Sequence, residues 1–333
     1  MIVVEPSNAT MRTVRFHEYG EPVEVLRLDR IAVPSPPPDR IRVAVLACGL
    51  NPVDWGLCRG LFADKLPRGI GLELSGVVEA VGEGVADVAV GDLVMGMADW
   101  TGELSAGASD RAIMNHWTRI PPGLDPLRAA ALPMASETAY RSLENLGLEA
   151  GQLLMVHGAG TTVGFAAVQL ALMRGARVVA TAGDTYAPQL REFGATVTAY
   201  GDGMVERVRD IVGGFPDFIL DTAPPSGVLP DLVRIAGGDP QRVLHITDFA
   251  AAAELGIRNG LEKDTTLSND TLATLLRYDM LAEFARWAAE GRLAVPIART
   301  FALDEWNLAR EISQSGQARG KLVLLPGGLA VGD

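Results

Sequence analysis

Gly158-Ala159-Gly160-Thr161-Thr162-Val163-Gly164 carries the plainest chemical signal in the chain. An apolar run, Leu153-Leu154-Met155-Val156, leads into it, and residues 165–173 follow with helical character. A strand that enters a glycine turn and leaves as a helix suits a pyrophosphate. Glycine permits positive φ and close backbone approach, and a helix N-terminus presents unpaired N–H groups with a partial positive charge. The glycines alone are weak evidence, and the strand–turn–helix setting strengthens them. The hydroxyls of Thr161 and Thr162 either cap the helix or bond a phosphate oxygen. An acid about 20 residues beyond such a turn would grip a ribose 2′-hydroxyl and favour NADH. Here the next strand ends Thr181-Ala182-Gly183, which lacks that acid and leaves room for a 2′-phosphate. Asp184 lies close by and is equally suited to capping the next helix. His157, just before the turn, reads as structural rather than as a general acid.

Size and composition allow a large scaffold around this turn. With 333 residues and 48% hydrophobic content, the chain suffices for two ordinary domains and is too apolar to be disordered. A net charge of −12 disfavours nucleic acid or an anionic membrane as partner. The only cysteines, Cys48 and Cys58, form no disulfide framework and fit a reducing cytoplasm. Without a nearby His they read as small buried hydrophobes rather than metal ligands. Residues 1–15 lack the apolar core of a signal peptide, and no run of about 18 apolar residues marks a membrane span.

Patterning divides the chain. Residues 1–10 read as an extension. Short β-patterned runs follow at 12–16, 40–47, 75–81 and 92–97, with a proline-rich connection at 29–39, as in an irregular all-β domain. From about Leu127 strands and helices alternate. Helices are expected at 129–146, 165–173, 187–193, 204–212 and 227–235, and strands at 153–156, 177–181, 196–200, 218–221 and 242–246. Repeated strand–helix units imply a parallel, doubly wound sheet with its ligand at the carboxyl ends of the strands. Residues 271–291 read as one amphipathic helix, and strands at 297–301 and 321–325 rejoin the first domain. The expected class is α/β, with an irregular β domain over 1–126, the parallel-sheet domain over 127–265 and a return to the first over 266–333.

Several segments coincide with a known family. The longest is Gly71-Leu72-Glu73-Leu74-Ser75-Gly76-Val77-Val78-Glu79-Ala80-Val81-Gly82, running on to Val90-Gly91-Asp92-Leu93-Val94. Asn51-Pro52-Val53-Asp54, Ala131-Leu132-Pro133 with Thr138-Ala139, and Gly320-Lys321-Leu322-Val323-Leu324 add to it. Over residues 11–326 the chain resembles the zinc-independent quinone oxidoreductase branch of the medium-chain dehydrogenase/reductase superfamily. The resemblance implies a GroES-like catalytic domain plus a Rossmann domain. It implies NADPH as cofactor, with NADH the alternative, and no zinc, because Asn51 and Leu72 stand where the zinc enzymes carry Cys and His. The substrate class is a small, hydrophobic, electron-poor quinone or α,β-unsaturated carbonyl. A homodimer formed through the last Rossmann strand, near 242–246, completes the picture.

Residue by residue, the resemblance assigns cofactor contacts to Asn51, Thr138, Gly158, Ala159, Gly160, Thr161, Thr162, Val163, Gly164, Thr181, Tyr200, His245, Ile246, Thr247 and Lys321. Asn51 is the expected orienting donor. Asp54 is a general acid if buried, or else a structural carboxylate that caps nearby backbone. Two departures stand out. The family's Ala-Gly-Gly-Val-Gly is here Gly160-Thr161-Thr162-Val163-Gly164, and its tyrosine after Arg-x-Gly is here Phe62, which cannot donate a proton. The loop at 98–110, with Trp100, is the expected substrate-side lid. Two other readings stay open: an enoyl or ketone reductase of a polyketide-type pathway, and a non-catalytic NADPH-binding regulatory module.

Overall fold

Alternation of apolar and polar residues builds the first sheets. The computed structural model describes residues 9–100, 106–261 and 276–327, in two units. The first, Met1–Met134 with Tyr278–Glu290 and Pro296–Asp333, opens with β1 (Thr10–Phe16), α1 (Pro22–Val25) and β2 (Leu26–Ala32). The strand β2 claims the first part of the expected proline-rich connection, because its residues pair antiparallel with β1 from Leu26 to Ala32. Next come β3 (Ile41–Leu50), α2 (Pro52–Cys58), β4 (Arg68–Gly69), β5 (Glu73–Val81), β6 (Leu93–Ala98) and β7 (Arg111–Arg119). The sequence reading anticipated neither α2 nor β7. A six-stranded sheet runs β14-β15-β3-β5-β6-β7, with β14 (Ile297–Ala302) and β15 (Lys321–Leu325) supplied by the end of the chain, and β7 also pairs with β3. Val43, Val45, Cys48, Leu74, Val94 and Leu324 form its buried core with Trp55 and Leu57. The expected extension at 1–10 lies outside the described residues up to residue 8, and β1 begins within it at Thr10.

The expected helix at 129–146 is two helices, α3 (Pro126–Ala130) and α4 (Pro133–Leu146). Pro133 has no N–H to continue the first helix and starts the second instead. The Pro126 carbonyl accepts from Ser75 Oγ at 2.7 Å, and Ala130 is buried against Ala47 and Val323. These contacts hold α3 on the first unit, whose boundary falls after Met134.

The second unit, Ala135–Arg277 with Gly291–Val295, contains β8 (Leu153–His157), α5 (Thr162–Met173), β9 (Arg177–Thr181), α6 (Ala187–Glu192), β10 (Thr196–Thr198) and α7 (Met204–Val212). It continues through β11 (Phe218–Asp221), α8 (Leu229–Ile235), β12 (Val243–His245), α9 (Phe249–Glu254) and β13 (Arg258–Asn259). All pairings in its sheet are parallel, in the order β10-β9-β8-β11-β12-β13. This is the doubly wound Rossmann arrangement, and β8 sits at the point where the strand order reverses. The dimer expectation needs a correction: β12 is bonded on both sides, by β11 and β13, so among the described residues the outermost strand there is β13.

The helix expected over 271–291 falls partly outside the described residues. Within them it is a 3-10 turn, Tyr278–Met280, and a helix, Leu281–Ala289. Another helix, Trp306–Gln314, precedes β15 and was not anticipated. Among the described residues no helix is long and apolar enough to cross a membrane.

Candidate active site

In the second unit, four neighbouring parallel strands end on polar residues: β8 on His157, β9 on Thr181, β11 on Asp221 and β12 on His245. The glycine turn leaves β8 among them. Gly158 has φ +76°, and a Cβ there would lie 2.6 Å from the Ala223 nitrogen. Gly164 is packed as tightly, with Thr222 Oγ1 2.6 Å from its would-be Cβ. Gly160 differs: only Tyr186 comes within reach, at 3.8 Å, so its side of the turn is open.

Thr161 is the N-cap of α5, and its hydroxyl accepts the Gly164 N–H at 3.0 Å. It also bonds Thr222 Oγ1 at 2.9 Å, while the Thr222 hydroxyl reaches the Gly158 carbonyl at 2.9 Å. Capping is therefore the fate of the Thr161 hydroxyl. Thr162 and Val163 are half-buried, and their N–H groups, in the first turn, have no helical acceptor. Thr222 was not singled out from the sequence; its isolated hydroxyl leaves no local pattern.

His157 Nδ1 bonds Thr181 Oγ1 at 2.7 Å. Burial holds this imidazole below its usual range, opposed by Asp221 and reinforced by His245. His245 is fixed on both nitrogens. The Asp248 N–H donates to its Nε2 at 2.6 Å, so Nδ1 carries the proton and donates to Asp221 at 2.8 Å. His157 is thus held at the sheet's end through Nδ1, and His245 through both ring nitrogens. Ile246 is half-buried and Thr247 exposed, its hydroxyl donating to the Ala223 carbonyl at 2.9 Å. Thr138 lies half-buried on α4, and the exposed Tyr200 places its hydroxyl 3.7 Å from where a Gly183 Cβ would be. Asp184 does not cap α6, whose N-cap is Tyr186.

In the first unit the structure brings Asn51, Asp54 and Lys321 together around Glu73, which the sequence reading passed over inside its longest family segment. The Lys321 ammonium donates to Asn51 Oδ1 and Glu73 Oε1, both at 2.6 Å. Asn51 Nδ2 donates to Glu73 Oε1 at 2.8 Å, and Glu73 Oε2 accepts the Met134 N–H at 2.7 Å. Because Lys321 must meet an oxygen, the Asn51 amide can point only one way, leaving one N–H of Nδ2 to spare. Lys321 and Glu73 are essentially inaccessible, at 1% and 0% side-chain exposure.

Asp54 is fully buried. Its Oδ2 accepts the Asn51 N–H at 2.8 Å and its Oδ1 the Gly71 N–H at 2.7 Å, which is the geometry of the structural alternative. Burial, opposed by those two bonds, raises its pKa from 3.8 to about 7. The folded state therefore keeps a proton that the unfolded state has lost. Asp54's contribution to stability falls as pH rises from 3.8 through about 7 and is flat above. Urea unfolding at pH 5 and pH 8 checks this: Asp54→Asn is expected to flatten the decline, and an unchanged difference between the two pH values would refute it.

Comparison with known proteins places this geometry. Residues 37–117 match the alcohol dehydrogenase GroES-like domain, and residues 193–324 match a zinc-binding dehydrogenase domain. The quinone oxidoreductase of Lama guanicoe is 31% identical, over 95% of this chain and 97% of its own length. The chain belongs to the quinone oxidoreductase branch of the medium-chain dehydrogenase/reductase superfamily. It is an NAD(P)H-dependent oxidoreductase. An alcohol dehydrogenase superfamily protein from Novosphingobium aromaticivorans shares the fold at a TM-score of 0.79 and 27% identity, over 95% of this chain and 99% of that one. A mycocerosic acid synthase-like polyketide synthase of Mycobacterium tuberculosis is 30% identical over 97% of this chain, which spans 16% of that protein.

Zinc does not fit the residues present. Positions 51 and 72 hold Asn and Leu, the ammonium of Lys321 already faces the Glu73 carboxylate, and both cysteines are buried free thiols. Burial pushes the Cys58 thiol up to about 12 and Cys48 well above its usual range, away from the thiolate that zinc needs. Among the described residues no group of three or more His, Cys, Asp or Glu side chains could hold a metal ion.

Proposed function

We propose that the protein is an NADPH-dependent, zinc-free reductase of quinones or α,β-unsaturated carbonyls. The glycine turn at the sheet's reversal point carries this reading: Gly158 and Gly164 are required by close packing, whereas Gly160 faces open space that a diphosphate can enter. Bound NADPH would supply the hydride at its nicotinamide C4. The N–H groups of Thr162 and Val163, with the Ala159–Gly160 backbone, hold the pyrophosphate. Thr181 and Tyr200 flank the adenosine end. The absence of an acid at the end of β9, with Gly183 bare beside Tyr200, favours the 2′-phosphate over a free 2′-hydroxyl. Thr138 and the His245-Ile246-Thr247 segment are assigned to the nicotinamide end. In the first unit, the spare Asn51 N–H orients the acceptor's carbonyl, and Lys321 acts by holding that amide. Phe62 donates no proton, so water completes the reduction. The likeness to part of a polyketide synthase favours enoyl reduction as the second reading. Two buried thiols suit a cytoplasmic setting, and the edge of β13 is the assigned homodimer contact.

NADPH oxidation against a panel of quinones, enones and enoyl thioesters tests this. Turnover of quinones and enones with higher kcat/KM than enoyl thioesters is expected. Preference for the thioesters would move the assignment to the second reading, and binding of NADPH without any turnover would leave only a binding module.

A further inference from the structure

Arg68 is among the largest fully buried side chains, with 0% exposure. Its backbone is fixed in β4, where it pairs with Phe16 of β1. One terminal nitrogen donates to the Phe62 carbonyl at 2.7 Å and the other to the Trp100 carbonyl at 3.2 Å. Its guanidinium lies 5.6 Å from the centre of the Trp100 ring, and its Nε–H is buried with no acceptor among the described residues. Among the described residues no carboxylate lies within ion-pair distance of it. Burying an uncompensated cation is costly, and two carbonyls and an indole face offset only part of that cost. Such an arrangement calls for a reason beyond packing.

What Arg68 holds is informative. Phe62 is one of two described non-glycine residues at positive φ, +52°, in the loop just beyond α2, which Asn51 and Asp54 anchor. The rings of Phe62 and Trp100 stand 5.9 Å apart at 58°, packed on the core with part of each left uncovered. A cation mounted on a strand thus pins two aromatic rings that belong to separate loops.

We propose that Phe62 and Trp100 form the acceptor-recognising platform of the catalytic unit, with Arg68 as its positioning residue. The inference rests on the reductase reading and narrows its substrate to planar aromatic acceptors, quinones above all. Their rings stack on the aromatic pair. Bound NADPH would supply the hydride, and water the proton, for reduction of the stacked quinone.

The test compares wild type with Arg68→Met, Arg68→Lys and Trp100→Leu, using 1,4-naphthoquinone and the aliphatic trans-2-hexenal. Arg68→Met and Trp100→Leu are expected to raise KM for the naphthoquinone about tenfold, the scale of one lost aromatic contact, with hexenal changed less than about twofold. Arg68→Lys is expected to share the rise in KM for the naphthoquinone, because the ammonium loses the two-carbonyl grip of the planar fork. Equal effects on both acceptors, or none on either, overturn the proposal. Naphthoquinone binding is also read without turnover, by tryptophan quenching of the protein with no dinucleotide present. Saturable quenching that Trp100→Leu removes supports the platform even if the reductase reading fails, and quenching unaffected by Trp100→Leu refutes the platform even if that reading holds. Should Arg68→Met not fold, the Lys and Leu variants carry the same comparison.

Discussion

Alanine at position 164 is expected to destabilise the protein by about 3 kcal/mol and to weaken dinucleotide binding by well over tenfold. In an ordinary helix the exchange of Gly for Ala would help by up to about 1 kcal/mol. Here the added Cβ would lie 2.6 Å from Thr222 Oγ1 and 2.9 Å from the Ala159 Cα, and closer still to the Gly158 carbonyl oxygen. Two of those neighbours are backbone, so no change of rotamer relieves the overlap and the helix start must move away from the turn. Moving it breaks the Thr161 cap and displaces the N–H groups assigned to the pyrophosphate. Gly160→Ala is the matched control. Its Cβ meets only Tyr186 at 3.8 Å, so stability should stay within about 0.5 kcal/mol while a diphosphate meets the new methyl group and binds about tenfold more weakly. Thermal denaturation and dinucleotide titration of both variants give the answer. Wild-type stability and binding in Gly164→Ala would show that the turn is not packed as described.

Lys321→Met is the second large effect, with an expected loss of about 3–5 kcal/mol in urea unfolding. The ammonium and the Glu73 carboxylate are 2.6 Å apart with almost no solvent access, so removing one strands the other. The loss also frees the Asn51 amide, and kcat should fall with stability. Glu73→Gln combined with Lys321→Met is expected to recover part of the stability, because no unpaired charge remains and the glutamine oxygen can still accept the Met134 N–H. A cost below about 1 kcal/mol for Lys321→Met would mean that the pair is solvated and has no structural role.

Local pattern made much of the parallel-sheet unit legible. The strands β9 and β11 and the helix α7 fall where apolar runs and flanking glycines put them, since each is decided by its own few residues. Elements that depend on distant partners were harder. In β7 polar and apolar residues mix because it pairs with both β6 and β3, and α2 is a single short stretch started by Pro52. Pro133 divided a helix that apolar spacing alone joins across residues 129–146. The site shows the same contrast. The glycine turn announces itself within seven residues, whereas Lys321 and Asn51 are 270 positions apart and meet only in the folded sheet. Arg68 carries no sequence mark at all, because its importance lies in what it is buried against.

Titration with NADPH and with NADH, followed by nicotinamide fluorescence, tests the central claim most directly. Saturable binding of both is expected, with NADPH the tighter because no acid at the end of β9 opposes its 2′-phosphate. Failure of NADPH to bind, or tighter binding of NADH, would contradict it.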